Sequence, residues 1–294
     1  DNAVFSIDTT HASLTIPYNL TRRMGLTKLG NNTLTLSGIN EYRGDTRVQG
    51  GDFYITAPGN HKLGMFLANT ANIILTNDTQ MYIDVTNKSC YIGDDAGRFG
   101  TLTVGGKTVW SSYLPPYNTG APTLAIGQRG RGILYLKDDA VITNRLYAGV
   151  EGSGAGAIYQ SGNSRMHNWC GGSSDGRIGL AGYGYYELNS GSLTNNGYFH
   201  LGQALTGVGI LKQNGGLINQ ASVYGGQLGL SRGGTGMVHL AGGTFVSAVG
   251  VNVGESSENN ATRGCADLTV SGTADADARQ QRGHAARDAR SGRV

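Results

Sequence analysis

Two adjacent pairs of aspartates are the residues of this chain that could perform acid–base chemistry. Asp94 and Asp95 lie in the segment Tyr-Ile-Gly-Asp-Asp-Ala-Gly, and Asp138 and Asp139 lie in Leu-Lys-Asp-Asp-Ala. Glycoside hydrolysis needs paired carboxylates, and carboxylates also bind calcium. However, adjacent residues of a strand point to opposite faces, and aspartate favours turns because it hydrogen-bonds to nearby backbone. We therefore predict solvated turns, with acid–base catalysis or calcium binding as the alternative.

Tyrosine is the other residue type with a candidate role, which is contact with sugar rings. The chain has 15 tyrosines. Five of them come from neighbouring repeats and are our candidates for ligand contact: Tyr183, Tyr185, Tyr186, Tyr198 and Tyr224. Aromatic side chains can stack on sugar rings, but stacked aromatics also cover the surface of ordinary solenoids. Structural cladding is therefore the alternative interpretation.

Histidine and cysteine do not form a recognisable metal or cofactor site. His167, His200 and His239 lie at different offsets from the repeat glycines described below, so a stacked metal site is not expected. The chain has no CxxC pair, no dinucleotide-binding loop and no calcium nonapeptide. We predict no metal and no cofactor. The three cysteines are predicted to be buried free thiols, with one disulfide as the alternative: Cys90, Cys170 and Cys265.

Glycine-led repeats are the elements that must position these residues. Each copy is a glycine followed by an alternating apolar run, and the copies recur about every 27 residues. They begin at Gly100, Gly132, Gly156, Gly184, Gly209, Gly236 and Gly264. Tight Gly, Asn and Ser turns separate two or three short strands in each copy. Asparagine is predicted to adopt positive φ at corners such as Asn195 and Asn214.

The repeat length selects among the all-β architectures. A propeller blade needs about 40 to 50 residues, whereas a coil of a β-helix needs fewer and pairs with the next coil at about 4.8 Å. We therefore predict a single-stranded, parallel, right-handed β-helix, or β-solenoid, with coils of about 25 residues. In this prediction residues 1–272 form one continuous β-helix, and residues 90–272 are its glycine-rich coils.

Composition and charge are consistent with a stacked β-structure and exclude one class of partner. The chain has 49 Gly and 5 Pro in 294 residues, and 15% of its residues are charged, against about 25% in typical domains. Its net charge is only +3, and it has no basic stripe that could follow a phosphate backbone. We predict that it has no nucleic-acid partner.

Two segments depart from the repeat pattern. Residues 111–122 contain three of the prolines and lengthen the first repeat. We predict a protruding loop that joins two subtypes of coil, with contact to a ligand as the alternative. Residues 273–294 are rich in Arg and Ala and contain almost no larger apolar side chains, so we predict a disordered tail.

Residues 26–55 contain the most specific motif of the chain. The motif matches at Gly30, Thr33, Leu34, Leu36, Gly38, Asn40, Tyr42, Gly44, Thr46, Val48 and Gly51, with Phe53 at a position that is usually Leu. The pattern L-T-K-x-G-x-G/N-T-L-T-L-S-G-x-N-x-Y-x-G-x-T-x-V-x-x-G-x-L resembles the passenger-associated transport repeat of bacterial autotransporters. This resemblance implies a passenger β-helix that is exported to the bacterial cell surface. It also implies a C-terminal outer-membrane barrel in the parent protein, which is not in this chain.

These observations predict an extracellular passenger fragment that acts as a structural stalk or adhesin and has no catalytic activity. Its expected partner is a host-surface protein or glycan. The alternative is a polysaccharide lyase or hydrolase, which would need acidic or basic residues of successive coils to converge on one face. End-to-end self-association is a further expectation, because uncapped coils have open edges.

Overall fold

Each run of alternating apolar residues forms a β-strand, and a tight turn follows it. The computed structural model describes residues 3–83, 89–112, 123–168, 175–221, 228–231, 233–253 and 265–278. Within these residues every paired strand is parallel to the strand one coil away, and there is no helix that could span a membrane. The prediction of an all-β, parallel β-helix is confirmed.

The described strands follow one another in eleven coils. Coils 1 to 4 contain β1 (Ala3–Asp8), β2 (Leu14–Ile16), β3 (Thr21–Arg22), β4 (Met24–Leu29), β5 (Leu34–Leu36), β6 (Glu41–Tyr42), β7 (Thr46–Val48), β8 (Gly51–Ile55), β9 (Gly59–Leu63), β10 (Phe66–Ala68), β11 (Ala71–Leu75) and β12 (Thr79–Ile83). Coils 5 to 8 contain β13 (Cys90–Ile92), β14 (Phe99–Val104), β15 (Val109–Ser112), β16 (Thr123–Ile126), β17 (Arg131–Leu136), β18 (Val141–Ala148), β19 (Ala155–Gln160), β20 (Arg165–Asn168), β21 (Asp175–Ile178), β22 (Tyr183–Leu188) and β23 (Ser192–Asn195). Coils 9 to 11 contain β24 (Tyr198–Leu201), β25 (Val208–Gln213), β26 (Leu217–Gln220), β27 (Leu228–Leu230), β28 (Thr235–Leu240), β29 (Thr244–Ser247), β30 (Val251–Val253), β31 (Cys265–Val270) and β32 (Asp275–Ala278).

Three sheets run along the stack. The first strand of each coil forms sheet A, and the second strand forms sheet B, which has eleven strands. The third strand forms sheet C from coil 3 onward, whereas β3 and β6 of coils 1 and 2 form a separate two-stranded sheet. Strand β18 turns a corner: its first half pairs in sheet C and its second half pairs in sheet A.

Residues at equivalent positions of successive coils stack into columns, and the inward columns form the core. In sheet B one inward column is apolar or aromatic throughout and contains Leu34, Phe53, Ile73, Leu102, Leu134, Ile158, Tyr186, Leu211, Val238 and Leu268. All but the last are at most 2% exposed. Burying one such large side chain contributes about 1.5–3 kcal/mol. Each coil therefore stabilises its neighbours by covering their inward side chains.

The repeat glycines form a second inward column of sheet B. Gly100 pairs with Gly132, and the register continues through Gly156, Gly184, Gly209 and Gly236. At the last coil Ala266 occupies this position, two residues after the predicted Gly264, which lies outside the described residues. The predicted periodicity is therefore confirmed for six copies, and the seventh was assigned to the wrong register.

The coils differ in length more than the sequence pattern predicts. Equivalent residues of coils 3 and 4 are 20 positions apart, as in the pair Asp52 and Asn72. Those of coils 5 and 6 are 32 apart, as in Gly106 and Asp138. The predicted coil length of about 25 residues thus lies between the lengths of the two types of coil. The shorter coils come first, before the glycine-led repeats begin.

The predicted segment boundaries have different outcomes. Strand β32 pairs in parallel with β29, so the ladder continues past residue 272, where we predicted the tail to begin. Residues 279–294 of that tail lie outside the described part of the chain. So do residues 113–122 of the predicted loop at 111–122, whereas Ser111 and Ser112 belong to β15.

The cysteines do not form the predicted stack of three buried thiols. Cys90 is a buried free thiol, and burial raises its pKa to about 12. Cys265 is a free thiol too, but it is exposed, because it occupies an outward position at the start of β31 in register with Thr235. Cys170 lies outside the described residues.

A polar ladder lies inside the corner between sheets C and A. The inward side chains at the ends of the third strands include Asn168, Asn195 and Gln220, all at most 2% exposed. Asn168 donates a hydrogen bond to Asn195 Oδ1, and Asn195 donates to Gln220 Oε1 at 2.8 Å and to the carbonyl of Gly197 at 2.6 Å. The amide ladder thus satisfies backbone groups where the chain turns.

His61 is a buried titratable group at the start of sheet C. The backbone N–H of Asn40 donates to its Nδ1 at 3.1 Å, so Nδ1 is unprotonated and Nε2 donates to the carbonyl of Ala57 at 3.0 Å. Burial lowers the pKa of His61 below its usual 6.5. A proton on Nδ1 would leave the N–H of Asn40 without its acceptor.

We predict that this histidine makes the stack sensitive to mild acid. The unfolded chain protonates His61 at a higher pH than the folded chain does. The contribution of neutral His61 to the free energy of unfolding is therefore complete above a pH of about 6.5, and it is lost as the pH falls toward the pKa of His61 in the folded chain. The measurement is the urea midpoint at pH 7.5 and 5.5 for the wild type and His61→Gln, which retains a donor and an acceptor. The wild type should lose more stability than the variant, and equal losses would contradict the prediction.

Candidate ligand-binding face

The first aspartate pair is part of a turn between sheets A and B. The backbone N–H groups of Asp94 and Asp95 both donate to Asn69 Oδ1, at 2.9 and 3.1 Å. The Arg129 guanidinium lies 3.8 Å from the Asp94 carboxylate and 3.0 Å from that of Asp95. Burial raises the pKa of Asp94, and Arg129 opposes this shift. Both carboxylates are engaged in holding successive turns together.

The second aspartate pair follows strand β17 of sheet B, whereas the first pair precedes strand β14, so the two pairs lie at opposite ends of the strands of this sheet. Asp138 has a φ of 61°, and its carboxylate accepts a hydrogen bond from the N–H of Gly106 at 2.9 Å. Asp139 accepts from Asn163 Nδ2 at 3.1 Å. Both contacts join the turns of adjacent coils, as the solvated-turn interpretation requires. In the described part of the chain no group of three or more His, Cys, Asp or Glu is placed to hold a metal ion.

The structure brings together two of the five candidate tyrosines. Tyr183 and Tyr185 are both on the outward face of β22, and Tyr183 is 47% exposed. Tyr186 is fully buried, because adjacent residues of a strand point to opposite faces, so its ring cannot contact a ligand. Its hydroxyl donates to Gln160 Oε1 inside the core at 2.5 Å.

The other two candidate tyrosines are not part of this cluster. Tyr198 lies on the outward face of sheet A, where its ring stacks on His200 with centroids 5.8 Å apart. It therefore faces a different side of the stack from Tyr183. Tyr224 lies outside the described residues.

A transverse slot on the outward face of sheet B is the candidate for a binding site that lies beside the clustered tyrosines. We define the slot by Phe99, Arg131, Ile133, Ala155, Ala157 and Tyr183, which surround a depression of about 300 Å³. Its floor is the outward face of β19 in coil 7, where two of the outward residues are alanines. This volume is at the lower end of the range for small-ligand sites, which is about 300–1,000 Å³.

The register of the ladder explains why a slot forms there. Ala155 lies between Arg131 and Tyr183, because the three residues occupy one column of successive coils. Coils are about 4.8 Å apart, so the walls in coils 6 and 8 are roughly 10 Å apart. A methyl group fills little of the space between them. The next outward column repeats the arrangement, with Ala157 between Ile133 and Tyr185.

Three tyrosines in contact with one another lie beside the slot on the outward face of sheet B. The rings of Tyr135 and Tyr159 are nearly parallel, with centroids 5.6 Å apart, and the ring of Tyr185 follows at 5.9 Å. The Tyr185 hydroxyl donates to Glu187 Oε2 at 2.6 Å, which lowers the pKa of Glu187 and raises that of Tyr185 further than burial alone. Lys212 lies 3.5 Å from the same carboxylate. The Tyr185 side chain is therefore held in place before any ligand binds.

The wall in coil 6, which faces Tyr183 across Ala155, carries a cation. The Arg131 guanidinium lies 5.9 Å from the centroid of the Phe99 ring, in the neighbouring coil. The sequence analysis did not identify Arg131, Ala155 or Ala157 as candidates, because it considered only clusters of titratable or aromatic residues. The only signal was an alternating run, Ala-Gly-Ala, with small residues at outward positions between two bulkier repeats.

The residues of the motif at 26–55 are structural in this fold. The side chain of Lys28 is fully buried, and its ammonium donates to the carbonyls of Gly30 and Gly50, both at 2.6 Å. Burial lowers the pKa of this lysine. The buried Tyr42 hydroxyl lies 2.9 Å from Thr46 Oγ1. These contacts join coil 2 to coil 3.

Comparison with known proteins supports the identification of this motif. Residues 26–52 match the family model of the passenger-associated-transport-repeat. The predicted repeat is therefore confirmed over these residues, and it supports an autotransporter passenger, a family that implies export to the cell surface. No curated protein and no solved structure matches the chain.

Proposed function

We propose that this chain is a surface-displayed, non-catalytic passenger segment that acts as an adhesive stalk and binds glycans through the slot on sheet B. The observation that carries the proposal is the slot itself, which has an alanine floor between Tyr183 on one side and Arg131 on the other. Sites for small ligands are concave, largely apolar and contain a few placed polar groups. The repeat at residues 26–52 supports display outside the cell.

The placement of the acidic residues favours binding over hydrolysis. Asp94 and Asp95 precede β14, whereas Asp138 and Asp139 follow β17, the next strand of sheet B. A six-residue strand spans about 20 Å, which exceeds the roughly 5–9.5 Å between the carboxylates of a glycoside hydrolase. In addition, each carboxylate accepts a hydrogen bond or pairs with an arginine in a turn.

The proposal is tested with a variant that fills the slot. Ala157→Trp should reduce glycan affinity at least tenfold, because a bulky outward side chain occupies the floor without entering the core. The matched control is Met237→Trp, which changes an exposed residue of the same outward column three coils away. The measurement is binding of the whole chain to an array of glycans, with thermal unfolding to confirm that both variants fold.

Two results would contradict the proposal. If the wild type binds no glycan on the array, or if Ala157→Trp binds as well as Met237→Trp, the slot is not the binding site. If reducing sugar ends accumulate during incubation with the wild type, the chain cleaves glycans and the non-catalytic assignment is wrong.

A further inference from the structure

The charge of the slot indicates which glycans it selects. We infer that the slot binds an acidic sugar, with the sugar carboxylate paired to Arg131 and the sugar ring packed on Tyr183. This inference rests on the proposed function and adds the chemical class of the ligand.

Arg131 is available for an anion. Its side chain is exposed, and its guanidinium forms no hydrogen bond or ion pair with any residue of the described chain; its contact is with the Phe99 ring. A contact of this kind leaves the planar set of N–H donors of an arginine free for a carboxylate, which it can bind through two parallel hydrogen bonds.

The nearby carboxylates already have partners. Glu187 accepts from Tyr185 at 2.6 Å and from Asn214 at 2.7 Å, and Lys212 lies 3.5 Å away. Across the corner with sheet A, Asp94 and Asp95 pair with Arg129. The residues that define the slot include no acid. The slot therefore presents one cation without an anion, which favours an acidic ligand over a neutral one.

The geometry places the two contacts on one ligand. Arg131 and Tyr183 face each other across the Ala155 floor, two coils or roughly 10 Å apart. One sugar ring with a carboxylate substituent can reach both walls, since the ring packs against the face of Tyr183 and its carboxylate points to Arg131. The apolar Ile133 and Ala157 leave the remaining floor without a charged group.

The experiment compares acidic and neutral glycans by calorimetric titration of the whole chain. The probes are a galacturonate oligosaccharide, sialyllactose and lactose, so that uronate and sialate are separate arms. The variants are Arg131→Gln, Arg131→Lys and, as control, Arg165→Gln on the outward face of sheet C. At least one acidic glycan should bind about 10- to 100-fold more tightly than lactose, the range for hydrogen bonds to a charged group. Arg131→Gln should remove this preference, Arg131→Lys should retain part of it, and Arg165→Gln should leave it unchanged.

The outcomes separate this inference from the proposed function. Equal affinity for acidic and neutral glycans, unaffected by Arg131→Gln, would overturn the inference but leave glycan binding by the slot intact. Loss of the acidic preference in Arg165→Gln to the same degree as in Arg131→Gln would overturn it too, because the attraction would then come from overall charge. Absence of binding to every glycan, in this titration and on the array, would overturn the proposed function itself.

Discussion

Replacing Asn195 with alanine is expected to lower the free energy of unfolding by about 3 kcal/mol. The variant loses the acceptor for Asn168 Nδ2 and the donor for Gln220 Oε1 in a fully buried ladder. Removing a hydrogen-bond partner from a buried polar group costs about 1–3 kcal/mol, and the substitution removes one partner from Asn168 and one from Gln220. The carbonyl of Gly197 keeps its bond from Gln220 at 2.7 Å, so it does not add to the cost.

The measurement is urea unfolding of the whole chain, followed by circular dichroism. Thr194→Ala is the matched control, because Thr194 precedes Asn195 on the outward, half-buried face of the same strand. It should change the free energy of unfolding by less than about 0.5 kcal/mol. A similar small change in Asn195→Ala would show that solvent reaches the ladder and that the ladder does not hold the corner.

Replacing Gly156 with alanine is expected to cost about 3 kcal/mol or more. A Cβ at this position would lie 2.0 Å from the carbonyl oxygen of Ile126 and 2.8 Å from the amide nitrogen of Gly149. Both atoms belong to the backbone of the preceding corner, so they cannot turn aside as a side chain could. The coil must therefore shift away from its neighbour, which weakens the hydrogen bonds on both sides.

Gly152→Ala is the control for this prediction. A Cβ at Gly152 meets nothing within 4 Å, so this variant should be neutral or slightly stabilised, because alanine lowers the entropy of the unfolded chain. Thermal unfolding of both variants under one condition checks the pair. Equal unfolding temperatures would show that the corner accommodates a methyl group, and that the glycine column does not depend on close backbone contact.

The sequence was sufficient to predict the coils but not their corners. Alternation with period two and regularly spaced glycines indicate stacked parallel strands, and the glycines from Gly100 to Gly236 do share one column. The corners follow from contacts between coils, which a single chain does not display. Asn195 and Asn214 were predicted to adopt positive φ, but neither does. The side chain of Asn195 bonds to groups of the next coil instead.

The candidate site could be predicted only in part. Gly184 points inward, so alternation alone would have placed Tyr185 outward and Tyr186 inward, and the sequence held that information. The side of the stack to which a strand belongs was not available, because it depends on how many turns precede the strand in its coil. Tyr198 and Tyr183 are thus close in sequence but lie on different sheets. Ala155 and Ala157 have no chemical signature, and their importance comes from the larger residues on either side.

The parallel ladder also determines how the stack of coils responds to tension. A force applied along the stack acts parallel to the hydrogen bonds between the terminal coil and its neighbour. When they break, one coil detaches while the rest stays wound. A released coil of about 25 residues extends to roughly 80 Å, whereas the stack shortens by only about 4.8 Å. A stack built in this way lengthens under load as coils unwind one at a time from its end, and the remaining coils retain their structure.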